Sequence, residues 1–571
     1  MKFKRFWAGV IASVIAASVG AITPVCVSAE YKGLIYDDNL YYLKIDKDKD
    51  DIYDYAVITD CNESAVSVNI PSEIGNLPVT RIGDSAFLNC NDLTTVSIPD
   101  TVTVIEQYAF SCTSLTEINF PKKLAEIGES AFAGCSMLQS INIPNTVKAI
   151  GNEAFARCEA LNSVSLGKGL ESIGNIAFAD CKSLSGITIS ENVQSIGESA
   201  FENCESFSEI TIPDSVQSIG MNAFQNTPLE DNQEGIKYAD TWVISCDKNY
   251  ASIEIKDGTR GIAQYAFTEY DGLEEVFFPD TLKTIDSYAF SDCPNLRSIS
   301  TGNGVEKICS HAFYNCTSLK SVVMGNSVET IEEYAFKGCT KLEDITIPQS
   351  VENIIGNAFE DTPWLETKRN EDPYVVVNSV LIDAQTIPLE DEITIPEDVK
   401  TIGSYAFQIP ADIIAPTKDI TVILPEYVTK IEQYGFYGFA DIGDLIIKNP
   451  DCEIIDNGYI FKAVPDEYGV SFTEPDYGST VCFGGELGVY FYYGTIYGYE
   501  NSTAQAYAEL CGYSFESLGE YTPSWNISDV VKLQNFLLRR IDNIGRYYDL
   551  NNDSIINVFD LIFLKRKVIY G

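Results

Sequence analysis

At 571 residues, with 45% hydrophobic and 21% charged side chains, the chain has the composition of a folded protein and exceeds what one compact core holds unless that core grows by stacking. A formal net charge of −45 repels phosphate backbones and anionic bilayers, which excludes nucleic acid and membrane surfaces as partners. The same charge keeps an exported protein in solution and attracts calcium.

Lys2, Lys4 and Arg5 precede an apolar run from Phe6 to Ile22, and Val27-Ser28-Ala29 supplies the small residues a signal peptidase needs. Residues 1–29 read as a secretion signal cut after Ala29, and the mature protein as extracellular. Thr23-Pro24-Val25 ahead of Cys26 does not fit a lipoprotein cleavage motif. No later stretch is long and apolar enough to cross a bilayer.

Residues 30–80 read as an N-terminal cap. In them Asp46, Asp48, Asp50, Asp51 and Asp54 resemble the start of a calcium loop, but Val57 stands where the twelfth-position acid belongs. An acidic hairpin turn is the expectation.

From 81 to 497 the chain repeats. Ala-Phe recurs with Phe at 87, 110, 132, 155, 178, 201 and 224, again at 267, 290, 313, 336 and 359, and at 407, while Gly435-Phe436 is a worn copy. Within the two runs the spacing is 23 residues, with one interval of 22. In a typical unit Ile141 and Ile143 alternate with polar residues, as in a strand with one buried face. Pro144 cannot donate to a ladder and ends the strand. Val147 and Ile150 carry a second extended piece into the core. Gly151 is expected to permit a tight turn, and Ala154-Phe155 to sit on a short helical turn that plugs the coil with its ring. One unit cannot bury these groups alone, whereas stacked units form a solenoid with parallel strands about 4.8 Å apart. These motifs resemble the BspA-like leucine-rich repeats of bacterial surface proteins, over most of residues 30–519. The resemblance implies a leucine-rich-repeat solenoid, parallel β with short helical turns, that serves recognition rather than a reaction.

Cys90, Cys112, Cys135, Cys158, Cys181, Cys204, Cys293, Cys316 and Cys339 are read as one position of the repeat. Stacked copies point the same way, with Cβ atoms near the ~4.8 Å strand spacing rather than the ~3.8 Å of a disulfide. They are expected to be buried thiols acting as small apolar residues. Cys452, Cys482 and Cys511 lie outside this set and leave room for one bridge. No Cys-x-x-Cys pair suggests zinc. His311, the single histidine, occupies a place filled elsewhere by Ser85, Tyr108, Ser130, Glu153, Tyr265 and Tyr288, which reads as a tolerant surface position. Acids such as Glu106, Glu129 and Glu198 fall at outward positions and read as a solvated face rather than a hydrolytic pair.

Two stretches break the period. Lys237 to Ile244 and Tyr374 to Ile382 read as hairpin strands that reset the array near 230–260 and 365–400. Ile496 to Ala508, helical in its second half, resembles the terminal cap seen after such repeats, which spans 498–519.

Residues 520–571 change character. Asp549, Asn551, Asp553, Asn557 and Asp560 place side-chain oxygens at positions 1, 3, 5, 9 and 12 of a calcium loop, with the Ile555 carbonyl at position 7. Ser554 replaces the usual glycine at position 6. Leu561 to Lys567 continues as an amphipathic helix. The segment resembles a dockerin, a small all-α, EF-hand-like module that docks proteins onto cohesin domains of a cellulosome scaffold, in the style of ruminococcal proteins. That resemblance implies bound Ca2+ and cohesin contacts at Val558, Phe559, Lys565 and Arg566. The matching first half, Trp525 to Leu538, keeps Asp529 but lacks the preceding carboxylates, so one calcium is expected. The sequence predicts a secreted, non-catalytic binding protein carried on a cellulosome-like complex, its solenoid facing a protein or carbohydrate ligand. A polysaccharide-degrading cellulosomal enzyme and a cell-surface adhesin are the alternatives.

Overall fold

The computed structural model describes residues 34–35, 40–521 and Leu564, except 48, 50–51, 389, 409–419, 437–441, 457–458, 464–469, 474–494 and 512. The proposed signal at 1–29 and the calcium loop of the C-terminal module lie outside the described residues.

Each repeat forms one coil with two short parallel ladders. The strand Ser140–Asn142 pairs with Ser163–Ser165 of the next coil, and Ala149–Ile150 pairs with Ser172–Ile173. The register advances by one period per coil, so every apolar position lies over its counterpart. Phe87, Phe110, Phe132, Phe155, Phe178, Phe201 and Phe224 form an unbroken stack with centroids 4.7–5.7 Å apart. Phe267 to Phe359 form a second, and Phe407 with Phe436 a third. The spacing of rings follows from the spacing of strands.

The expected helical turn at Ala154-Phe155 is not a helix. Residues 152–157 form turns in which Glu153 (φ 55°) and Arg157 (φ 59°) are left-handed. The N–H groups of Glu153, Phe155 and Arg157 donate along the solenoid axis to Asn175, Ala177 and Ala179 of the next coil at 2.7–2.9 Å, while Ala154 and Ala156 bond within the coil. A helical turn would aim every N–H back into its own coil and leave these inter-coil bonds unmade. The same pair of left-handed residues recurs in neighbouring coils, as at Ser199 and Asn203 or Tyr288 and Asp292.

Gly151 also differs from expectation. It does not adopt a positive φ; a Cβ there would lie 2.6–2.7 Å from the backbone of Gly128 in the preceding coil. Glycine serves close packing of coils here, not the turn.

The thiol ladder holds with one correction. Cys135, Cys158, Cys181, Cys204, Cys293, Cys316 and Cys339 are buried free thiols. Each donates to the carbonyl of a phenylalanine in the preceding coil, as Cys158 Sγ does to Phe132 O at 3.3 Å and Cys316 Sγ to Phe290 O at 3.2 Å. They are therefore hydrogen-bond donors as well as apolar filler. Cys112 lies one position earlier, at the left-handed residue (φ 58°), and is exposed. Thr113 takes the ladder position, 3.2 Å from Cys135 Sγ. Burial pushes the thiol of Cys135 up to about 11 and that of Cys204 up to about 12. Brief alkylation of native protein should therefore label Cys112 and spare the ladder, because the thiolate is the nucleophile. Peptide mapping reads the result, and labelling of Cys158 at the rate of Cys112 would contradict the stacked arrangement.

Three hydrophobic cores follow one another along the chain. Each of the three long ladders has at its start an antiparallel hairpin whose second strand joins parallel to the first coil, and in the first ladder Leu34–Ile35 also pairs antiparallel on the outer side of that hairpin. The hairpins are Leu40–Ile45 with Tyr55–Cys61, Ile236–Ala239 with Trp242–Cys246, and Val375–Val377 with Val380–Asp383. A hairpin shields the edge that a bare first coil would expose. In the first, Asp54 closes the connection by accepting from Lys47 N at 2.7 Å, as an acidic hairpin turn.

The first two arrays end alike. Thr227 and Thr362 stand where the ladder cysteine belongs, and each donates to the carbonyl of its own phenylalanine at 2.6 Å. Each also caps a helix that begins at the following proline, Pro228–Asp231 and Pro363–Glu371. Across the first joint Ile219 N donates to Asp286 Oδ2 at 3.1 Å and Gln264 N to Ile219 O at 3.0 Å. Burial pushes the Asp286 carboxyl up to about 6. At the second joint Arg369 forks onto the buried Asp383 at 3.0 and 2.6 Å. The last coil is closed by Thr495–Gly498, the helix Thr503–Cys511 and the parallel strand Ser514–Ser517.

Candidate ligand-binding face

The three-residue strands have a core side and a free side. Ile141 is buried while Ser140 and Asn142 are exposed, and the alternation repeats from coil to coil. Register then assembles the outward side chains into rows. In the first array one row runs Asn142, Ser165 and a second segment Thr188, Thr211. These residues are short, uncharged and rich in hydroxyls. Ser165, Thr188 and Thr211 line a groove of about 1140 Å³ that spans the strands Ser163–Ser165, Gly186–Thr188 and Glu209–Thr211. Lys168, Glu191 and Asn192 border it, and no aromatic ring lines it.

The second array presents a different surface. Its outward rows carry Glu254, Phe277, Ser300, Val323 and Thr346, beside Ser252, Glu275, Ser298, Ser321 and Asp344. Phe277 is 57% and Val323 50% exposed. They stand where the first array has Asn142, Ser165 and Thr188. Aligning the coils on their Ala-Phe pairs reveals this substitution in the sequence, but alignment alone does not show which row faces solvent.

On the turn side, Tyr265, Tyr288 and His311 stack at 4.7 and 4.4 Å, and Tyr334 meets His311 at 5.0 Å with its plane tilted by 52°. The faces of Tyr265, Tyr288 and His311 cover one another, so these three offer edges rather than a platform for a sugar ring. His311 is half-buried at a left-handed position (φ 57°). Ser85, Tyr108, Ser130, Glu153, Tyr265 and Tyr288 share that conformation. Burial and then the charge of Lys337 lower the His311 pKa, and its ring packs against Tyr288, Tyr314 and Tyr334.

Glu129 and Glu198 are exposed, in keeping with a solvated face. Glu106 is engaged: it pairs with Arg81 at 2.9 Å and accepts from Asp84 N at 3.1 Å. Among the described residues no group of three His, Cys, Asp or Glu is placed to hold a metal ion, and no helix is long and apolar enough to cross a membrane. Asp549, Asn551, Asp553, Ile555, Asn557, Asp560, Val558, Phe559, Lys565 and Arg566 lie outside the described residues.

A model of the BspA type leucine-rich repeat region matches residues 34–149, 60–175, 126–235, 244–366 and 388–465, more than half of the chain. No curated protein matches it. Among solved structures, a leucine-rich repeat protein from Bacteroides ovatus is 26% identical, over 59% of this chain and 97% of that one, with a TM-score of 0.32. A leucine rich cell surface protein from Faecalibacterium prausnitzii is 25% identical, over 56% and 95%, with a TM-score of 0.29. The pneumococcal vaccine antigen PcpA is 17% identical, over 86% and 98%, with a TM-score of 0.31.

Proposed function

The chain belongs to the BspA type leucine-rich repeat family, and from that premise we propose that it is an exported, non-catalytic recognition protein tethered to a larger extracellular assembly. The observation that carries recognition is the strand face. Its outward rows are in register over many coils and take no part in the core. Such rows offer a continuous binding surface, as stacked repeats do.

The tether is residues 520–571, read as a dockerin that follows a signal at 1–29, a cap at 30–80, a solenoid at 81–497 and a second cap at 498–519. In this reading Asp549, Asn551, Asp553, the Ile555 carbonyl, Asn557 and Asp560 wrap one Ca2+. Hard oxygen donors at this spacing suit that ion. The carboxylates repel one another when the loop is empty, so calcium and folding of the module are coupled. Val558, Phe559, Lys565 and Arg566 then meet a cohesin domain of the scaffold.

The test is capture of the full chain on immobilised cohesin, in calcium and in chelator, beside the variant carrying Asp549→Ala and Asp553→Ala. Binding is expected in calcium alone and is lost in the variant. Equal capture with and without calcium, or none on any cohesin, would remove the dockerin and leave a strand-face binder.

A further inference from the structure

We infer that the outward face of the second array, around Phe277 and Val323, docks a cationic amphipathic peptide segment of a partner protein. This rests on the strand face being the binding surface, and it names the chemistry of the partner. Apolar side chains of this size are half exposed here, whereas the matching row of the first array holds Asn142, Ser165, Thr188 and Thr211. Isolated exposed apolar residues need no explanation; these two stand in one row of one sheet, two coils apart.

Ser300 stands between Phe277 and Val323, so the two apolar groups flank a notch two strand spacings wide, about 9.6 Å. Side chains at i and i+7 of an α-helix are about 10.5 Å apart along its axis, which matches that interval. Glu254, Glu275 and Asp344 share the two outward rows, and no cation stands on them. Lys320 and Arg297 border the rows, the latter held by Glu274 at 3.0 Å. The net charge of −45 extends the negative field beyond the patch. Lysine or arginine beside the apolar side chains of the segment is therefore steered inward, while an acidic segment is repelled.

The experiment measures anisotropy of a labelled helical peptide of leucine and lysine, with leucine on one face, against the full chain. A leucine–glutamate peptide of the same pattern is the control. The lysine peptide should bind and the glutamate peptide should not. Phe277→Ser with Val323→Ser alters neither net charge nor core, so thermal unfolding should be unchanged while affinity for the lysine peptide falls about tenfold or more. Ser165→Trp with Thr188→Trp obstructs the first-array groove and should leave affinity intact. Binding unaffected by the Phe277 and Val323 pair overturns the inference. If the tryptophan pair alone weakens binding, the strand-face reading stands and this patch is wrong. If neither pair matters, both fall.

Discussion

Phe155→Ala will lower the stability of the first array by about 3–5 kcal/mol, the cost of emptying a large buried ring site that cannot collapse. The ring is fully buried, between Phe132 at 5.3 Å and Phe178 at 5.5 Å, with planes within 8° of parallel. Phe120 meets it edge-on at 6.4 Å. Strand pairing fixes the distance between Phe132 and Phe178, so neither can move in to fill the gap. In a repeat array the loss falls on both interfaces of the altered coil. The shift of the urea midpoint of the first array measures it. Phe120→Ala, at a half-buried site, should cost clearly less. A loss below about 1 kcal/mol for Phe155→Ala would mean that the coils are not held at the spacing seen here.

Gly174→Leu comes next, at about 1–3 kcal/mol or more, because added bulk here meets backbone. A Cβ at Gly174 would lie 2.7 Å from Asn152 N and from Gly151 C, and 2.8 Å from Ile150 O. No flexible side chain is available to yield. The row does carry larger residues elsewhere, and they show what makes them tolerable. Glu106 accepts from Asp84 N at 3.1 Å and Glu332 from Ser310 N at 2.9 Å, each against the preceding coil. Gly174→Glu could accept from Asn152 N in the same way, so it should cost less than leucine although it is as large. Thermal unfolding of the two variants decides the point. A leucine variant as stable as the parent would show that the coils separate easily and that glycine is not needed for packing.

The tether and the face contribute different things to the proposed role. In that proposed role the tail would set where the protein is held, and the rows of outward side chains what it meets. The two arrays differ on that face, hydroxyl-rich around Ser165 and Thr188, apolar and acidic around Phe277, Val323 and Glu275. A single chain can therefore present two chemistries to one extended partner, or to two.

The period of 23 residues, the buried phenylalanines, the thiols that do not pair and the parallel stacking were all legible in the sequence. Burial recurs with the period, and a side chain that must be apolar in every coil declares itself in every coil. The tertiary structure decided what depends on contacts between residues one period apart. Ala154-Phe155 looks helical when read along the chain, but the N–H groups of Glu153, Phe155 and Arg157 are claimed by the next coil. Gly151 looks like a turn residue, but Gly128 one coil away is what leaves no room for a Cβ. Cys112 is the exception: it stands two residues after its phenylalanine where the ladder thiols stand three, an offset already present in the sequence, and Thr113 takes the ladder place. Phe277 and Val323 fall into one exposed row only when register fixes which side chains face solvent. Composition and period report how often a group is buried; hydrogen-bond direction and exposure are set by the neighbouring coil.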